Sequence, residues 1–260
     1  MRYFLLQSGA VPVESLSVIE LVFATLVVTV AYAVRGGAGF GGQAVAVPLL
    51  ALILPLHVVL AAIVVLTVLS SIGHLRRDWS KIDWREIRLL LPYSVIGVVA
   101  GIFLLDRLDI RVLTRAFGVF VMLYACFALA TASRPLRLPA RALYPAGAIL
   151  STLAGATGAT FGAAAGPLYV IYFSARQLEK DAFRVTITAI LQAQGCLRIA
   201  GYAHLGFFDY TTPLLVAAGL PLMLAGSTLG QWLAGRLDQR WFNVGISVLL
   251  LGCGAALLFK

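Results

Sequence analysis

Gly36-Gly37-Ala38-Gly39-Phe40-Gly41-Gly42, followed by the apolar run 43–54, is the stretch on which the fold turns. A long apolar block, 16–34, leads into it, and another, 58–75, follows. As a helix, a run of about 12 residues covers about 18 Å, against a bilayer core roughly 30 Å thick. It does not cross a membrane alone, so the glycines before it belong at membrane depth and not at a surface. The arrangement returns at Gly155-Ala156-Thr157-Gly158-Ala159-Thr160-Phe161-Gly162, which precedes the short run 163–175.

Working outward, long apolar runs lie near 16–34, 58–75, 89–105, 112–132, 143–157, 185–203, 213–234 and 241–259. The 260 residues are 61% hydrophobic and 12% charged, with a mean hydropathy of +0.95. A soluble domain keeps about 25% charged residues. The expected class is an all-α polytopic membrane protein of eight long and two short helical segments, forming one transmembrane domain over 1–260. The net charge of +9 gathers at the ends of apolar blocks, which points to membrane orientation and not to nucleic acid. Cys126, Cys196 and Cys253 lack metal-ligand spacing and read as small core residues without a disulfide framework. The first residues lack the basic and cleavage regions of a signal peptide, so 16–34 reads as a retained helix.

The two halves, 16–132 and 143–259, resemble each other. Gly39-Phe40-Gly41 with Pro48 is echoed by Thr160-Phe161-Gly162 with Pro167, and Ile82-Asp83-Trp84 by Phe208-Asp209-Tyr210. At a constant offset of 129, Pro92, Gly97, Gly101, Leu104, Arg107, Leu108, Asp109 and Arg111 meet identical residues from Pro221 to Arg240. Such internal duplication is frequent in transporters. If both short runs count as crossings, fourteen Lys and Arg, from Arg35 to Arg240, fall on one side. Arg2, Arg107, Arg111, Arg115 and Lys260 fall on the other, and Arg198 lies between. Without those crossings the split is ten to nine. The positive-inside rule therefore favours five crossings per half, which makes the repeats inverted and places both termini outside.

At these motifs the sequence resembles the TauE/SafE family of sulfite and organosulfonate exporters, also called the toluene sulfonate uptake permease family. The residues carrying the likeness are Gly36–Gly42 with Val47-Pro48-Leu49-Leu50, Lys81-Ile82-Asp83-Trp84, Gly97-Val98-Val99-Ala100-Gly101, and the echo Gly155–Gly162. The resemblance implies transport of small sulfur-containing or organic anions. Ala163-Ala164-Ala165-Gly166-Pro167 stands where the family tends to have further glycines, and the polar residues of the following helices are few.

A broken helix presents unpaired N–H groups that favour anions. The candidate site therefore comprises Gly37, Gly39, Phe40, Gly41, Gly42 and Gln43 in the first half, and Thr157, Gly158, Thr160, Phe161 and Gly162 in the second. The short helices are expected to begin at Gly42-Gln43 and Gly162-Ala163. The glycines either line a ligand or permit close helix crossing. Phe40 and Phe161 either flank the ligand or pack in the core. Arg198 stands inside an apolar block, where an arginine is costly; it either meets a ligand or snorkels. Gln194 lies one turn before Arg198, so the two either share an anion or brace each other; Gln192 is near. Thr67, Ser70 and Ser71 in the related helix either face substrate or bond their own backbone, as do Thr186 and Thr188. His57 is a proton-carrier candidate or a solvated loop-end residue. Asp109 and Asp238 read as helix N-caps.

The eleven carboxylates read as lying outside the apolar interiors, and no His cluster or phosphate-binding loop occurs. No cofactor, metal or catalytic residue is expected. The sequence points to secondary transport of a small anion, with the bilayer and the anion as partners and a homo-oligomer open. The alternatives are an enzyme acting on lipid or isoprenoid phosphates, and an anion channel on the same scaffold.

Overall fold

The computed structural model describes residues 17–39, 41–131, 140–162, 165–176, 178–233 and 250–258. Helix α1 (Val18–Ala38) opens with a capping box: Ser17 Oγ accepts the Glu20 N–H, and the Glu20 carboxylate accepts the Ser17 N–H. It stops at Gly39, whose φ is +86°, and the chain resumes as α2 (Gly42–Leu50) after Gly41 at +90°. Side-chain-bearing residues lose roughly 1–2 kcal/mol in that left-handed region. Nine residues of α2 cover about 14 Å. Residues 51–54, expected to be helical, form a turn instead.

After α3 (Leu56–Asp78) and one 3₁₀ turn (Trp79–Lys81) come α4 (Trp84–Arg107) and α5 (Ile110–Thr131). The second half has α6 (Ala140–Phe161), α7 (Ala165–Arg176), α8 (Lys180–His204) and α9 (Thr211–Leu233), with a further helical stretch at 250–258. Gly162 is left-handed at +71°, and the first described helical residue after it is Ala165, two beyond Ala163. The duplicated Asp motif proves to be a duplicated cap. Asp83 Oδ1 accepts the Arg85 and Glu86 N–H groups at the start of α4, and Asp209 Oδ1 accepts those of Thr211 and Thr212 at the start of α9. Asp109 stands just before α5, its carbonyl accepting the Leu113 N–H.

Helices α1, α3, α4 and α9 are long and apolar enough to cross a membrane, and α5, α6 and α8, at 22, 22 and 25 residues, have the length. Apolar side chains such as Ile96, Val99, Phe103 and Leu123 point outward, as lipid requires. The chain is an all-α, multi-pass membrane bundle. Helix α4 packs on α6 and α9 on α1; α3 packs on α8; α4 meets α8 as α9 meets α3. The duplicated glycines are the crossing points. A Cβ on Gly97 would overlap the Thr152 carbonyl oxygen of α6, and one on Gly230 would overlap the Ala33 carbonyl oxygen of α1.

Three sequence expectations are corrected. Cys126 and Cys196 are exposed, and Cys253 alone of the three is buried. Arg35, counted among the loop cations, lies inside α1 and is 2% exposed. Glu86 is buried because α7 covers it: Tyr172 Oη donates to it at 2.8 Å and Arg176 forms a salt bridge with it. The apolar-block reading missed both burials, since each residue lies at a block edge and is covered by a distant helix.

Candidate functional site

Arg198 of α8 and Arg35 of α1 are the two largest fully buried side chains among the described residues. Arg198 donates from Nη1 to the Gly158 carbonyl at 2.9 Å and from Nη2 to Gln43 Oε1 at 3.3 Å. It thereby joins α8 to the last turn of α6 and to the first turn of α2. One turn further along α8, Tyr202 Oη donates to the Ala159 carbonyl. Arg35 donates from Nη2 to Ser71 Oγ, which donates on to the Thr67 carbonyl at 2.8 Å. Tyr32 Oη and Thr67 Oγ1 lie 3.2 Å apart beside them. Gly42 connects the two networks: a Cβ there would sit 3.1 Å from Arg35 Cβ and 2.7 Å from the Ala31 carbonyl oxygen. Gln43, which Arg198 bonds, directly follows Gly42, so the first turn of α2 meets both arginines.

No carboxylate pairs with either arginine among the described residues. Arg35 Nε, Arg198 Nε and Gln43 Nε2 are buried donors without an acceptor there. Buried polar groups are ordinarily satisfied, and leaving a charged one unpaired in a protein interior costs several kcal/mol. The Gly42 and Gln43 amides open α2 at the same place, ahead of the Ala44 N–H, which donates to the Gly41 carbonyl at 2.9 Å. Two cations and spare N–H donors leave positive charge there without a counter-charge among the described residues.

The structure brings together some of the expected residues and separates others. Gln43, Gly158, Arg198, Thr67 and Ser71 belong to the two linked networks, with Gly41 and Gly42 at the break between them. Gly37, in the last turn of α1, adds no side chain. Gln194 does not bond Arg198; its Nε2 donates to Ser94 Oγ and Tyr169 Oη, both at 2.8 Å. Ser70 bonds its own helix at the Thr67 carbonyl, Thr157 does so at Leu153, and Thr160 Oγ1 donates to the Gly101 carbonyl. Phe161 stacks on Phe117 and Phe120, 5.5 and 5.3 Å between centroids, as a core aromatic. Gly39 faces away, toward Arg184 and Thr188. Thr186 Oγ1 accepts the Asp83 N–H, and His57 lies edge-on to Phe207. Phe40 lies outside the described residues, as does Asp238.

The sequence profile of the sulfite exporter TauE/SafE family matches residues 24–257. The chain belongs to that family. As a TauE/SafE protein it is a membrane transporter, and the enzyme alternative falls away. It is 25% identical over 197 residues to the probable inner membrane transporter protein TsaS of Comamonas testosteroni, covering 75% of this chain and 80% of that protein. No solved structure matches it. Within this TauE/SafE chain the residue that sequence reasoning missed is Arg35. Its available signal was position: a cation directly before a glycine run that had to lie at membrane depth.

Proposed function

We propose that this transporter carries a small oxyanion, sulfite or an organosulfonate, across the inner membrane by secondary transport, binding it between Arg35 and Arg198. The observation that carries the reading is the pair of buried arginines without carboxylate partners among the described residues. An intramembrane cation is retained for a partner or a ligand, and a planar guanidinium offers paired donors that match an oxyanion. The α2 N-terminus adds amides and the positive end of its dipole. The relative described as an inner membrane transporter supports the location. The anion class is supported by the family's description as sulfite exporters.

We also read the chain as two inverted repeats, 16–132 and 143–259. The paired helix contacts support it, since α4 on α6 and α1 on α9 are the same contact under exchange of halves. So do the duplicated Asp caps and the left-handed glycines in both breaks.

The test is counterflow in proteoliposomes, with sulfite, taurine, sulfoacetate, sulfate and simple carboxylates as trans substrates. One or more sulfur oxyanions should drive exchange. Exchange with carboxylates alone would overturn the substrate class, and steady current without exchange would make the protein a channel.

A further inference from the structure

A recess at the C-terminal end of α1, one turn beyond Arg35, is lined by Gly39, His74, Asp78, Asp181, Arg184 and Thr188. We propose that it is a second anion site, an entry station for the same oxyanion before it reaches Arg35 and Arg198; the proposal takes its ligand class from the transport reading above. Arg184 lies across the α1–α2 break, close enough that a Cβ on Gly39 would come within 3.2 Å of its Nε. That Nε is buried and has no acceptor among the described residues. Thr188 Oγ1 holds the register, donating to the Arg184 carbonyl at 2.8 Å and lying 3.3 Å from that of Gly39. His74 contributes an imidazole, which carries at least one N–H in either protonation state.

The recess is lined by one cation, Arg184, and two carboxylates, Asp78 and Asp181, so anion binding there requires the carboxylates to be neutralised. Arg35, Arg77 and Arg184 all act on His74, with Asp78 opposing. The recess's two carboxylates are both engaged by Lys81, whose Nζ lies 2.6 Å from Asp181 and 3.5 Å from Asp78 at the exposed rim. The recess is small and half open, with about 30 Å³ inside, room for a water or two, so the proposed anion binds at its mouth against Arg184.

The recess and the central site share one wall. At about 100° per residue, Arg184, Thr188, Arg198 and Tyr202 fall within about 40° of one line along α8. All four meet glycine-rich backbone: Arg184 and Thr188 at Gly39 of the α1–α2 break, and Arg198 and Tyr202 at the Gly158 and Ala159 carbonyls in the last turn of α6. Fourteen positions separate the two arginines, about 21 Å of helix, too far for one small anion to bridge. Two stations on one rail are the result.

The experiment is equilibrium binding of sulfite, kept anaerobic, to the purified full chain in nanodiscs, with melting temperature followed on the same samples. Two sites are expected in the wild type, one in Arg184→Gln, one in Arg198→Gln and none in the double variant. Lys81→Gln, at an exposed position, releases both carboxylates and should weaken only the recess site, by about tenfold. It serves if Arg184→Gln folds poorly. A single wild-type site that disappears with Arg198→Gln, or a recess site indifferent to Lys81→Gln, overturns the entry station. Two sites that survive Arg198→Gln, with one lost in Arg184→Gln, instead remove the central site and leave the recess standing.

Discussion

At the residue scale the proposed function rests on two side chains, both buried, whose charge is unanswered among the described residues. Arg198→Ala should reduce counterflow at least a hundredfold, and Arg35→Ala by a similar factor, while both proteins insert and remain monodisperse. Removing a charged hydrogen-bonding group of this kind is worth about 3 kcal/mol when its ligand is also charged. Arg198→Lys should recover little, because an ammonium cannot reach Gly158 and Gln43 together as the guanidinium fork does. Uptake unchanged in either alanine variant would reduce that arginine to a packing role. Arg198 was legible in the sequence because it interrupts an apolar block. Arg35 was not, because it closes one, and its burial comes from Ser71 and Gly42 folding back over it. Gln194 shows the reverse. Its i, i+4 spacing placed it with Arg198, yet Ser94 and Tyr169, supplied by other helices, claim its amide.

At the element scale, two kinds of glycine should fail in different ways. Gly97→Val and Gly230→Val place a side chain into the backbone of a crossing helix. Both should lower the melting temperature sharply and cut the yield, with normal sulfite affinity in whatever protein folds. Gly41→Val meets nothing within 4 Å and suffers only its left-handed φ, about 1–2 kcal/mol. It should instead lose affinity more than stability, as it stiffens the entry to α2. Equal stability losses at all three positions would reduce the break to packing.

The caps give a second element-scale expectation. Burial pushes Asp209 upward, but hydrogen bonds from the Thr211 and Thr212 hydroxyls and amides outweigh it, holding the carboxyl below its ordinary 3.8. A depressed carboxyl stabilises the fold above its unfolded value, and that contribution is lost as pH falls through the folded value. Asp209→Ala should therefore cost about 1 kcal/mol at neutral pH, as N-cap losses do. Its melting temperature should converge with that of the wild type as pH falls below 3.8. A constant gap down to pH 2 would contradict the assignment. Both Asp motifs were visible in the sequence as a repeat; that they cap α4 and α9 required the backbone.

At the scale of the whole molecule, the lengths of the two short runs were enough to place the glycines inside the bundle, because a helix of that size cannot span lipid. What length could not supply was which helices meet, since α4 on α6 and α3 on α8 join residues far apart in the chain. The orientation remains a proposal founded on charge. Reporter fusions after Lys260 and cysteine labelling within 204–210 should both report the outside, with 76–88 protected. A cytoplasmic C-terminus would refute the ten-crossing arrangement.

The line of arginines on α8 has a consequence for direction. Its counterpart α3 carries no Lys or Arg between Leu56 and Leu75, so exchanging the halves does not exchange the charges. Two identical inverted halves would rest facing either side with equal energy. Here only one half brings an arginine-lined wall to its partner's break, and each 1.4 kcal/mol of difference between the two facings tilts their populations tenfold. On the inverted-repeat and two-station proposals, the two facings are therefore unequal. In liposomes of sorted orientation, the half-saturating sulfite concentration should differ between the two faces, and Arg184→Gln should bring the two values together.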